Sequence, residues 1–211
     1  MFWLRKLSHI VHALFSTNGH RVEDVKVPHI EPEIDEPLPR ADEMLSLYFS
    51  LYELTVTSNP LLQGSNRILT KQQIAKLKVL AQHADTIRAI CGGLPVRIHS
   101  GYRSDKLNSA TIGSSSTSQH PRCEAIDLDV KGQTIEDTFR RLLLAAKAGK
   151  FKFGQLILER AERSYGSAAW IHCSVVGTLS PEKIGQVMKM EAGPDGHSRY
   201  TLIDHLKFPE L

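Results

Sequence analysis

Cysteine is scarce in this 211-residue chain and poorly placed for cross-linking: Cys91, Cys123 and Cys173 are odd in number and form no C-x-x-C pair. That excludes a disulfide framework or a zinc ribbon and fits synthesis in a reducing compartment. Long apolar runs are missing too, since no stretch reaches the roughly 20 residues that cross a bilayer. The N-terminus M-F-W-L-R-K-L-S-H-I-V-H-A-L-F lacks the signal-peptide pattern, because Arg5 and Lys6 interrupt the apolar run and no small-residue cleavage site follows. Charge of one sign is also lacking: 26 Lys+Arg against 23 Asp+Glu leave a scattered +3. No nucleic-acid partner is expected, because that would need a concentrated basic face.

What is there is ordinary for a soluble fold, with 41% apolar and 23% charged residues. The length suits one domain plus an appendage. Residues 1–17 carry Trp3, Leu4, Leu7, Ile10, Val11, Leu14 and Phe15 at helical spacing, which makes one apolar stripe. Such an amphipathic helix either docks a membrane surface or protein partner, or packs on its own domain. Residues 18–44 form an acidic linker or arm with Pro28, Pro32, Pro37 and Pro39, which remove backbone donors and block helix.

The compact domain begins near Leu45. Ser50 and Glu53 have capping-box spacing, as do Thr70 and Gln73. After the second box Ile74, Leu77, Leu80, Ala81, Ala84, Ile87 and Cys91 share a helical face that stops at Gly92-Gly93. Pro95 to Ser100 reads as a strand, Gly101 to Ser104 as a turn, and Thr111 to Thr117 as a loop. Glu124 to Val130 reads as a strand, and Thr134 starts a helix carrying Phe139, Leu142, Leu143 and Ala146 on one face. Gln155 to Glu159 and Ala169 to Val176 are β-rich, and Val187 to Glu191 with Tyr200 to Ile203 read as a terminal hairpin. The order implies an α+β fold, a small largely antiparallel sheet flanked by helices.

Two segments carry chemistry. In S-Q-H-P-R-C-E-A-I-D-L-D-V, His120 precedes a strand whose alternation puts Ala125, Asp127 and Asp129 on one face and Ile126, Leu128 and Val130 on the other. In W-I-H-C-S-V, His172 shares a face with Trp170 and Ser174, and Cys173 falls on the core side. A hairpin folded symmetrically about Tyr165-Gly166 sets Glu159 opposite His172. His120, Asp127, His172 and Glu159 then converge in one cleft, a costly cluster to bury unless a divalent cation compensates it. Two imidazoles and a carboxylate leave a fourth zinc position for water, and Glu159 is the candidate base. Asp129 is an alternative ligand on the same face, and Cys123 forms an H-x-x-C pair with His120 or is a buried thiol. His99 lines the cleft or is a solvated strand-end residue.

The motifs S-x-H-x-x-x-x-A-x-D (Ser118, His120, Ala125, Asp127), S-G-Y-R-S (Ser100 to Ser104) with Asn108, W-I-H-x-S (Trp170 to Ser174) and the Y-F-S-L-Y-E-L run (Tyr48 to Leu54) resemble the D-Ala-D-Ala carboxypeptidase-like zinc peptidases. The resemblance implies the hedgehog/DD-peptidase fold, one zinc ion per chain held by His120, Asp127 and His172, and cleavage of peptide bonds in bacterial peptidoglycan stem peptides. It also implies substrate-side roles for Arg103 and Ser118, although Arg103 has the alternative of a structural salt bridge. Relatives usually carry glycine where this chain has Cys123. Many place the catalytic carboxylate three residues before the last histidine, where this chain has Ala169; another branch places a glutamate on the preceding strand, as Glu159 stands here.

Together these readings divide the chain into the N-terminal helix (1–17), the arm (18–44), a zinc peptidase domain (45–180), and a C-terminal hairpin and tail (181–211). The expected protein is a carboxypeptidase-like or L-alanyl-D-glutamate endopeptidase-like enzyme of phage or bacterial origin, made in the cytoplasm and acting at the cell wall, free or in a virion. The alternative is a catalytically inactive wall-binding or virion module that keeps the fold.

Overall fold

Two capping boxes set the helical layer. The Ser50 hydroxyl accepts the Glu53 amide at 3.3 Å while the Glu53 carboxylate accepts the Ser50 amide at 2.9 Å, which starts α1, Leu51–Thr55. Thr70 and Gln73 repeat the exchange at 3.2 and 2.9 Å and start α2, Lys71–Ile90. Gly92 and Gly93, at φ 77° and 76°, end α2 in the left-handed region that glycine adopts without strain. These details come from a computed structural model that describes residues 40, 42–163, 166–177, 184–193 and 198–203, with side chains for all of these but 161–163, 166–168 and 192. All of them belong to one unit, Leu38–Leu211. The helix expected over 1–17 and nearly all of the arm over 18–44 lie outside the described residues.

The remaining elements follow as β1 (Val96–Ser100), α3 (Asp105–Ala110), β2 (Ala125–Val130), α4 (Ile135–Lys147), β3 (Gln155–Arg163), β4 (Gly166–Ser174), β5 (Gln186–Ala192) and β6 (Ser198–Leu202). Helix α3 lies between the turn expected over Gly101 to Ser104 and the loop expected over Thr111 to Thr117, in a stretch where no element is expected. The Ser104 hydroxyl caps it by accepting the Leu107 amide at 3.3 Å, and six residues are too few to show a period in sequence.

The six strands form one sheet in the order β1-β2-β4-β3-β5-β6, antiparallel except where β5 runs parallel to β3. This α+β arrangement is consistent with the expected peptidase fold. Alternation gives the sheet two unlike faces. Ile126, Leu128, Leu156, Leu158, Ile171, Cys173 and Val187 pack in one core with Leu77, Leu80 and Ala84 of α2 and Phe139 and Leu142 of α4. Asp127, Ile157, Glu159, Trp170, His172, Met190 and Tyr200 lie on the other face.

The β3–β4 hairpin differs from the expected register by two residues. Glu159 pairs with Trp170, and Ile157 is opposite His172. Arg163 pairs with Gly166, so two residues connect the strands, the commonest hairpin length. An even shift leaves every side chain on its face, so Glu159 stays on the side of His172 and Asp127. The C-terminal hairpin, β5 with β6, extends the edge of the same sheet.

Candidate metal centre

The site begins where β1 leaves the sheet. A Cβ on Gly101 would lie 2.4 Å from the Leu54 carbonyl oxygen, so only glycine lets this backbone press against the end of α1. There Tyr102 donates its amide to Leu54 at 2.7 Å. Asn66, wholly buried, donates to the carbonyls of Thr55 (2.8 Å) and Tyr102 (3.0 Å) and accepts the Ser104 amide at 2.7 Å. The loop is thereby fixed, and the Gly101 carbonyl stands 2.7 Å from Nδ1 of His120. His120 opens a one-turn 3-10 helix ended by Cys123 at φ 58°, the only non-glycine residue with positive φ among the described residues.

Strands β2 and β4 bring in the other two members, because Asp127 and His172 are direct cross-strand partners. Asp127 Oδ1 is 2.9 Å from His172 Nδ1 and 3.3 Å from His120 Nε2. The ligand atoms of the three buried residues all lie within 4.8 Å of one another. Four-coordinate zinc with bonds of about 2.0–2.1 Å has ligand edges of about 3.3 Å, so the donor set fits. The outer shell fits as well: His120 Nδ1 donates to Gly101, and His172 Nε2 faces Gln119 Oε1 at 2.9 Å. Each ring thus turns its other nitrogen, Nε2 of His120 and Nδ1 of His172, towards Asp127.

Electrostatics agree with that assignment. Burial alone would raise the Asp127 carboxyl, but the charges and hydrogen bonds of His120 and His172 outweigh it and hold the group well below the usual carboxylate range. For His120 burial wins and the imidazole pKa falls. For His172 burial is overcome by the hydrogen bond and charge of Asp127, helped by Glu159, and the pKa rises. These shifts run in the direction of an Asp127–His172 ion pair beside a neutral His120, and a divalent ion would displace the proton between the pair.

Arg103 reaches the same carboxylate, with Nη2 2.6 Å from Asp127 Oδ2 and Nε donating to Ser100 Oγ at 2.8 Å. Its salt bridge to Asp127 is therefore present, and Nη1 has no hydrogen-bond partner among the described residues. The Ser118 hydroxyl accepts the His120 amide at 3.4 Å and so shapes the turn into the site. Glu159 is buried on β3 beside Trp170, whose indole hydrogen-bonds its carboxyl. Burial raises that carboxyl to about 7, with the charge of His172 opposing and that of Asp127 adding. Ala169 pairs with Arg160 and alternates to the face away from His172, so a carboxylate at that position of this strand would project away from the centre.

The alternative ligands lie elsewhere. Asp129 shares the face of Asp127 but is engaged by Arg97 and by His99 at 2.9 Å. Cys123 is a buried thiol outside the cluster, pushed up to about 12 by burial, and Cys173 is in the core with its thiol raised too. Gln119 and Asn66 had no expected role. Gln119 is buried, and its Nε2 donates to Ser174 Oγ at 3.1 Å, tying the His120 turn to β4. Neither residue carries a spacing signal in sequence, since each acts through non-local partners.

No curated protein sequence matches the chain. A family model described as Peptidase M15 matches residues 47–174, which span α1 to the end of β4 and contain the trio, Arg103 and Glu159. That match covers more than half of the chain, and the chain belongs to the M15 family of zinc peptidases, the D-Ala-D-Ala carboxypeptidase family.

Proposed function

We propose that this protein is a zinc peptidase that hydrolyses peptide bonds in bacterial peptidoglycan stem peptides. The observation that carries the reading is the juxtaposition of a buried His120–Asp127–His172 trio with a buried carboxyl, Glu159, on the neighbouring strand of the same sheet face. His120, Asp127 and His172 would hold the zinc ion, which would supply a Lewis acid for the scissile carbonyl and the attacking water. Glu159 takes the proton from that water at its carboxylate and delivers it to the leaving amine. In the metal-free protein burial raises that carboxyl to about 7, and the charge of a bound cation would lower it towards the ionised form that a base needs. Trp170 aims that carboxyl through its indole N–H. Arg103 holds Asp127 with Nη2 and offers Nη1 to a substrate carboxylate. Ser118, at the lip of the same turn, keeps its hydroxyl proton for a substrate acceptor.

The test is mass spectrometry of defined muropeptides incubated with the zinc-loaded protein. New amino termini at one bond type support the reading and identify the bond. Intact muropeptides would leave the alternative, an inactive wall-binding or virion module.

A further inference from the structure

The last hairpin lies beyond the family-matched segment, yet it faces the site. Glu159 on β3 pairs with Met190 on β5, and Met190 pairs with Tyr200 on β6, so the three side chains form one row on the sheet face that carries Asp127 and His172. Two strand spacings put the Tyr200 backbone about 10 Å from that of Glu159. Tyr200 therefore stands on the face of Glu159, two strands away, with Met190 between them. Met190, and Ile157 two residues before Glu159 on β3, are buried on the same face. Tyr200 itself is half exposed, and its hydroxyl has no hydrogen-bond partner among the described residues.

We propose that Tyr200 is a substrate-binding residue whose phenol donates a hydrogen bond to a carbonyl oxygen of the bound peptide. A donor is what the cleft needs there. Glu159 and Asp127 are acceptors when ionised, so a phenol O–H on their sheet face complements the carbonyls of an extended peptide. The phenol keeps its proton at any working pH, because partial burial and the negative charges of Glu159 and Asp127 push it up to about 12, against the pull of Arg103.

The inference rests on the peptidase reading above, and the test separates the two. Binding of a synthetic stem pentapeptide is measured by calorimetry on the metal-free protein, and kcat and KM are measured on the zinc-loaded protein. Tyr200→Phe is expected to weaken binding about five- to tenfold and to lower kcat/KM by a similar factor, the worth of one hydrogen bond. Thr201→Ala, on the opposite face of β6, is expected to change neither, and the melting temperatures of both variants should match wild type. Wild-type cleavage with an unaltered Tyr200→Phe overturns the role of Tyr200 alone. A wild-type protein that neither binds nor cleaves the pentapeptide overturns the peptidase reading, and the role of Tyr200 with it.

Discussion

His172 Nε2 lies 2.9 Å from Gln119 Oε1, and the Gln119 amide is kept in that sense because its Nε2 donates to Ser174 Oγ at 3.1 Å. An amide oxygen can only accept, so His172 carries its proton on Nε2 and leaves Nδ1 for a metal. Gln119→Ala is therefore expected to weaken zinc binding about 10- to 100-fold while the fold persists, as loss of an outer-shell partner does. Competition with a chelating dye measures it.

The Gly101 carbonyl does the same for His120, and here the backbone itself is constrained. In Gly101→Ala the new Cβ meets the Leu54 carbonyl at 2.4 Å, so β1 or α1 must shift. The variant should lose about 1–3 kcal/mol of stability and, because the His120 anchor moves, bind zinc more weakly than its stability loss alone explains. Chemical denaturation with and without zinc separates the two effects.

Glu159 gives the metal-free protein a definite pH dependence. Its folded-state pKa, about 7, is above the ordinary 4.5. Between those values the folded state keeps a proton that the unfolded state has released, so stability falls as pH rises through the window and levels off above it. Glu159→Gln removes this contribution. The variant should be more stable than wild type above pH 7, by up to about 3 kcal/mol, and should converge with it near pH 4.5. Melting curves of the two metal-free proteins at pH 5 and pH 8 check the sign.

Cys123 fills a left-handed position that favours glycine. Cys123→Ala loses the buried thiol and keeps the backbone strain, whereas Cys123→Gly sheds the strain. The glycine variant should be more stable than the alanine variant by about 1 kcal/mol in urea unfolding.

Much of this was legible in the chain because it is local. The Ser50–Glu53 and Thr70–Gln73 boxes start helices as expected, and alternation alone places Asp127 and His172 on one sheet face. What was hidden depends on pairing at a distance. Alternation cannot distinguish register shifts of two, so Glu159 was expected opposite His172 and stands opposite Trp170. The row from Glu159 to Tyr200 requires β5 to join β3 in parallel, which no hairpin signal announces. Asn66 and Gln119 work through contacts 36 and 53 residues away in sequence.

The division of labour between ligands and base is tested most directly by measuring bound zinc and turnover together in Glu159→Gln and in His120→Ala. The Glu159 variant should keep one tightly bound zinc per chain and lose about 10²–10⁴-fold in kcat on a stem peptide, while the His120 variant loses the metal itself. Turnover at the wild-type rate by zinc-loaded Glu159→Gln, or undiminished zinc in His120→Ala, would contradict the assignment.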